Sequence, residues 1–245
     1  MNRLEKIYNL LLSSYGKQGW WPIVSRALEP GFDDMGYHRG NYDYPSSYAE
    51  RFEVAVGAIL TQNTAWKNVE RAISNLLKDE LLSPERLLEL NEKELANLIL
   101  PSGYYNQKAK KLKNLARFFL GNLAVKDGVP PLREELLGIW GIGYETADSI
   151  LLYGFNMPLF PVDAYTKRLF LRLGIGEKVD SENSLSQDYE RVRLYVEDNL
   201  RADYRVYNEF HALIVEHSKV HCRARPLCEG CPLLDMCGYR HQDGS

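Results

Sequence analysis

Apolar residues recur every three to four positions along most of this chain. Segments 52–62 (FEVAVGAILTQ), 66–78 (WKNVERAISNLLK), 84–90, 92–99, 106–122 and 144–154 show that spacing. It lays one apolar stripe along a helix. Further helices are predicted over 163–173, 186–200 and 204–217. The N-terminal MNRLEKIYNLLLSSYG carries Leu4, Ile7, Leu10 and Leu11 at the same interval. Ser83-Pro84-Glu85 and Asn91-Glu92 read as helix starts, with proline in a first turn. No stretch sustains a two-residue alternation, so the predicted fold class is all-α. Segment 29–48, rich in Gly, Pro and Tyr, reads as a loop between two helical parts.

At 245 residues, with 45% hydrophobic and 26% charged positions, the chain can bury a core as one large domain or two small ones. Glu5 and Lys6 interrupt the first apolar stretch, so neither a signal-peptide core nor a membrane span is predicted. The net charge of −3 argues weakly against a polyanionic partner. A local basic stripe suffices to meet phosphates, however. Three are present: Lys108, Lys110, Lys111, Lys113 and Arg117; Lys167, Arg168 and Arg172; and Arg223, Arg225 and Arg240. Each is either a phosphate-contacting patch or an ordinary solvated face.

All four cysteines fall in one short window, HCRARPLCEGCPLLDMCGYR, as Cys222, Cys228, Cys231 and Cys237. Confining every thiol to one C-x5-C-x2-C-x5-C loop points to a metal or cluster site in a reducing compartment. By spacing alone, structural zinc and an iron–sulfur cluster are nearly equal choices.

Leu137–Ala147, LGIWGIGYETA, reads as helix, tight turn, helix. Gly141 and Gly143 allow positive φ there and leave backbone N–H groups uncovered, a phosphate site indifferent to base sequence. About twenty residues on, Asp163 precedes AYTKRLFLRL, where a carboxylate caps a helix and can also serve chemistry.

From about 50 to 240 the chain resembles the helix-hairpin-helix DNA glycosylases, specifically endonuclease III and its relatives. Gly57–Thr64 (GAILTQNT) is similar to the family's early motif, whose glutamine, here Gln62, enters the gap left by the everted nucleotide. Gly103–Ala109 (GYYNQKA) resembles the G-x-Y-N-x-K-A stretch, which makes Tyr104 the wedge in the opposite strand; Lys108, in the first basic stripe, is a candidate DNA contact. Val162-Asp163 with Arg168 matches the context of the catalytic aspartate. The cysteine loop, one residue shorter in its first gap than the family's C-x6-C-x2-C-x5-C, implies a 4Fe–4S cluster that positions Arg223 and Arg225 toward phosphates. Glu145 stands where the bifunctional enzymes carry a Schiff-base lysine, so the resemblance implies base release by water without strand cleavage. Gly19-Trp20-Trp21-Pro22 is similar to the W-W-P stretch of the endonuclease III-like 3-methyladenine glycosylases, making Trp20 and Trp21 base-pocket residues and Trp66 a weaker one. Glu145 either contacts a cationic alkylated purine or is a solvated first-turn glutamate.

The expectation is a monofunctional glycosylase of base excision repair that removes alkylated purines such as 3-methyladenine, with Asp163 and Glu145 catalytic. Gly141, Gly143 and Gln62 would bind duplex DNA carrying a damaged base. The implied molecule is a monomer in the cytoplasm, associated with the nucleoid and not with membranes. The implied domains are a six-helix barrel over 46–157 and a second domain of 1–45 plus 158–245. Two rivals stand beside it: a bifunctional lyase acting on oxidised pyrimidines, and a non-catalytic binder of DNA structures.

Overall fold

The computed structural model describes residues 1–122, 125, 127–175 and 189–241. The described chain is helical and divides into two compact units, Met1–Gln18 with Pro158–Ser245, and Gly19–Met157. None of its helices is long and apolar enough to cross a membrane.

The central unit, Gly19–Met157, holds α2 (Tyr48–Leu60), α3 (Trp66–Lys78), α4 (Pro84–Glu89), α5 (Glu92–Leu98), α6 (Tyr105–Gly121), α7 (Arg133–Leu137) and α8 (Tyr144–Ser149). A π-helical turn, Ile150–Gly154, continues α8. Helix α2 is apolar around most of its circumference because it is the core: Phe52, Val54, Ala55, Val56, Ile59 and Leu60 are fully buried. It begins four residues before the apolar pattern does. Ser47 accepts the Glu50 N–H while Glu50 accepts the Ser47 N–H, a capping box that fixes the start. Helices α4, α5 and α2 pack on α6, whose buried stripe is Ala109, Leu112, Leu115, Ala116 and Phe119.

The terminal unit contains α1 (Arg3–Tyr15), α9 (Ala164–Arg172), α10 (Tyr189–Asn199) and α11 (Tyr204–Val220). Helix α11 buries Tyr207, Phe210, Ala212, Leu213 and Ile214, and α1 and α9 pack on it. The expected start of the α10 segment, 186–188, lies outside the described residues.

One boundary differs from the sequence reading. Residues 19–45 stand with the central unit, not with the terminal one. Polar contacts to α2 are the cause: Arg26 Nη1 donates to Glu50 Oε1 at 2.9 Å and the Ser25 N–H to Glu53 Oε1 at 3.1 Å. The Arg26 guanidinium also lies over the rings of Phe32 and Tyr44, 5.1 and 5.3 Å away. A loop of Gly, Pro and Tyr offers no periodic stripe to reveal such packing.

Candidate functional site

The turn between α7 and α8 is held from both sides. Arg133 grips Asp148 through Nε and Nη2, at 2.6 and 2.9 Å, and lies 5.1 Å from the Tyr144 ring. Gly141 has φ +96°, and a Cβ there would meet Lys111 Cγ at 2.3 Å, so both conformation and space demand glycine. Gly143 differs from the expectation of positive φ. It is the extended N-cap of α8, at φ −100° and ψ −178°, and a Cβ added to it would meet no heavy atom within 4 Å. Its value lies in lacking a side chain over the first turn, not in conformational freedom.

Gln62, just past the end of α2, ties this turn to α6. Its Nε2 donates to Gly141 O at 3.2 Å and Thr146 Oγ1 at 2.9 Å, while Oε1 accepts from Lys111 Nζ at 2.5 Å. Tyr104 caps α6 in the left-handed region, φ +46°, and is 72% exposed. Gln62, Tyr104 and Gly141 line one groove of about 420 Å³ together with Asn63, Lys111 and Trp140. The structure thus brings four of the expected residues together, since Lys108 also lines this groove. It adds Trp140, whose only signal in the sequence is a bulky aromatic directly before the G-I-G turn.

Lys108 does not present its charge at the surface. It is 2% exposed, and Nζ donates to Leu60 O, Thr64 Oγ1 and Ser102 O, each at 2.8 Å. Burial, with Lys111 nearby, lowers its pKa from 10.5 to about 8. Lys113 is also buried, donating to the Leu88 and Leu90 carbonyls that end α4. Two of the five cations in this stripe therefore brace loops. Lys110 and Arg117 are exposed, as are Arg223, Arg225 and Glu145 elsewhere in the chain.

Trp20 and Trp21 belong to an aromatic cluster. Trp21 is 7% exposed and meets Trp66 edge-on, with centroids 5.4 Å apart, and Tyr153 at 5.1 Å. Trp20 is half-buried and lies 6.1 Å from Tyr153. The Trp21 indole lies over bare backbone, since a Cβ at Gly57 would meet its Nε1 at 2.9 Å. The buried indole N–H groups of Trp21 and Trp66 have no acceptor among the described residues. Tyr153 escapes a reading of the sequence because it sits in an apolar helix stripe like any core residue.

In the terminal unit, Asp163 is the N-cap of α9. Its Oδ1 accepts the Thr166 N–H at 2.7 Å and the Thr166 hydroxyl at 2.8 Å, and His211 Nε2 on α11 lies 3.6 Å from Oδ2. Burial opposes the anion, but His211 and the two Thr166 bonds outweigh it and hold the carboxyl below its ordinary 3.8.

Cys222, Cys228, Cys231 and Cys237 form no disulfide, and all four line one cavity with Leu169, Arg172 and His217. Arg172 Nη1 donates to Cys222 Sγ at 3.2 Å and to Arg223 O at 2.6 Å, with Nη2 on Ala224 O at 2.9 Å. Arg168 Nε donates to Cys222 O at 2.9 Å. Arg168 and Arg172 of the second basic stripe therefore clamp the cysteine loop. Among the described residues, no three His, Cys, Asp or Glu side chains gather as ligands of a single ion.

Residues 56–193 match the HhH-GPD superfamily of base excision DNA repair proteins. A Methanocaldococcus jannaschii protein provisionally named as a DNA repair glycosylase is 44% identical over 242 residues, 96% of this chain and 95% of its own length. Endonuclease III of Thermotoga maritima is 29% identical over 204 residues, covering 82% and 90%. Among solved structures, an endonuclease III–DNA complex aligns over 99% of both chains with a TM-score of 0.73 at 20% identity. The H. pylori 3-methyladenine DNA glycosylase bound to 1,N6-ethenoadenine aligns over 88% of this chain and 97% of its own, with a TM-score of 0.61 at 26% identity. The chain belongs to the HhH-GPD superfamily and is a DNA glycosylase of base excision repair.

Proposed function

We propose that this glycosylase is monofunctional and releases alkylated purines, such as 3-methyladenine, by water attack assisted by Asp163. The observation that carries this reading is a buried anion at 163 combined with a carboxylate, Glu145, at the hairpin position where the family's lyases need an amine. As the N-glycosidic bond breaks, the base departs with the bonding pair and the sugar gains oxocarbenium character. An anion facing that sugar stabilises it. Water then bonds to C1′, and its proton passes to the Asp163 carboxylate and on to solvent. A carboxyl held below 3.8 is a weak base, so charge stabilisation is its larger role.

An electron-poor, flipped purine suits the aromatic cluster. Trp20, Trp21, Trp66 and Tyr153 offer π faces, and the unpaired Trp21 and Trp66 N–H donors suit ring-nitrogen acceptors. Exposed Glu145 would meet its positive charge. Gly141, Gly143 and Gln62 would serve the strand, with Arg223 and Arg225 on phosphates. Gln62 must exchange three internal hydrogen bonds for the gap in the stack.

The cysteine loop fits a 4Fe–4S cluster. Four thiols share one cavity, which suits a centre held by four thiolates, and the likeness to endonuclease III favours the cluster over zinc. Bound there, the cluster would cross-link the loop, and Arg172 would neutralise part of the thiolate charge.

A lyase using another amine is the second reading, and Lys111 in the Gln62 groove is the residue that favours it. The test is a panel of duplexes carrying 3-methyladenine, thymine glycol, uracil or a mismatch, scored separately for base release, nicking and borohydride trapping. Release of the alkylated purine without nicking or adduct is expected. Asp163→Asn should lower release at least about 100-fold. It should keep the helix cap, since asparagine caps helices as well as aspartate does, and lose only the stability linked to the carboxylate's charge. Thymine glycol release with a trapped adduct would overturn the proposal.

A further inference from the structure

Tyr104 and Trp140 are the two most exposed aromatic side chains among the described residues, at 72% and 57%. They line the same groove, which is formed wholly within the central unit. Two large aromatic side chains kept in water on one groove mark a binding surface more often than chance exposure. Between them the groove carries the amides of Asn63 and Gln107, which together offer donors and acceptors, and the ammonium of Lys111, which is bonded to Gln62. Flat faces, mixed polar edges and one cation match a nucleobase on a phosphate-bearing strand.

The damaged base is not the occupant this groove suits. That base is assigned above to Trp20, Trp21, Trp66 and Tyr153, and none of these lines the groove. Flipping one base from a duplex leaves a second without its Watson–Crick partner. The orphan retains two π faces and an unpaired polar edge. Both needs are met here, the faces by aromatic rings and the edge by amides.

We infer that Trp140 is a stacking platform for the orphaned base opposite the lesion, reading that strand while the aromatic cluster holds the damaged one. The inference deepens the proposed function, because it presumes that a base is flipped. It adds a residue at the hairpin turn itself. Trp140 is covalently joined to Gly141, whose carbonyl accepts from Gln62 before the amide is exchanged into the gap, so the platform starts beside the gap-filling residue.

The experiment measures binding of wild type, Trp140→Phe and Trp140→Ala to duplexes containing a tetrahydrofuran abasic site. One set carries each normal base opposite that site, and another carries a second tetrahydrofuran there. Against a normal base, Trp140→Ala should bind about 5- to 150-fold more weakly, while Trp140→Phe stays within about 5-fold of wild type. With the opposite position empty, the alanine variant should lose no more than about 2-fold. Equal loss on both sets, or no loss on either, would overturn the inference. If Trp140→Ala fails to fold, the same contrast is read from Trp140→Leu, with Trp140→Phe as the stacking control. The tetrahydrofuran duplexes have no base to release, so these outcomes are independent of whether alkylated purines are substrates.

Discussion

His211 Nε2 stands 3.6 Å from Asp163 Oδ2, while Oδ1 of the same carboxylate is taken by Thr166. One oxygen is thus committed to capping α9, and the other faces an imidazole projected from α11. Both residues are at least nine-tenths buried. The cap orients the carboxylate and the imidazole favours its charged form, so His211 acts as a positioning residue.

Replacing His211 by leucine leaves burial opposed only by the Thr166 bonds. The Asp163 pKa should then rise. The acid limb of the base-release profile moves to higher pH, whereas the rate on the plateau changes less. The stability sign follows from the same shift. A carboxyl depressed in the fold contributes fully above its unfolded value of 3.8, and that contribution is lost as pH falls through the lower folded value. His211→Leu should therefore flatten the acid side of the Tm–pH curve, and His211→Asn should do so less.

Lys108 is expected to matter for folding and not for phosphate contact. Substitution by methionine strands three acceptors, on Leu60, Thr64 and Ser102, at a cost of about 3 kcal/mol or more. Thermal melting checks this. The slope of log Kobs against log salt should stay that of wild type in Lys108→Met. In Arg225→Ala, which removes an exposed cation, the slope should shrink by about 0.9.

The two hairpin glycines should respond oppositely to alanine. At Gly141, φ +96° resists a Cβ, and so does the Lys111 side chain, 2.3 Å from where that Cβ would lie. Gly141→Ala should cost about 1–3 kcal/mol and weaken duplex binding by displacing Lys111 from Gln62. Gly143→Ala meets no atom within 4 Å at an allowed φ, so its stability should change by less than about 1 kcal/mol. Equal effects at both positions would show that the turn is not held as described.

Helix existence is legible in the sequence because amphipathic spacing is a direct record of burial. The ends are less so. Helix α2 starts at Tyr48 through Ser47 and Glu50, a readable signature that lies outside the apolar run. The capping role of Asp163 is readable, since the residue types that cap are few. Its partner His211 is not, because nothing in linear spacing connects positions 163 and 211. Charge misleads for a similar reason. Lys108 and Lys113 look like surface cations until the carbonyls that surround them are known, and carbonyls leave no trace in sequence. Position 143 shows the converse: a glycine whose context suggests a left-handed turn has an extended φ and serves by leaving α8's first turn bare.

Arg172 should be the side chain that keeps the cysteine loop closed. It donates to Cys222 Sγ and to the carbonyls of Arg223 and Ala224, and stacks 5.1 Å from the Tyr239 ring. Replacement by leucine removes those bonds but no thiol. A loop that holds a 4Fe–4S cluster should still assemble it, with visible absorbance and about four irons per chain. The cluster should bleach faster under chelator, and melting should fall by about 2–4 kcal/mol equivalent, from hydrogen bonds lost beside a charged donor. Cys222→Ser, in contrast, should abolish the absorbance. Stoichiometric zinc in protein prepared with both metals available would instead assign the loop to a single ion. Comparable bleaching rates in wild type and Arg172→Leu would mean the thiolates alone close it.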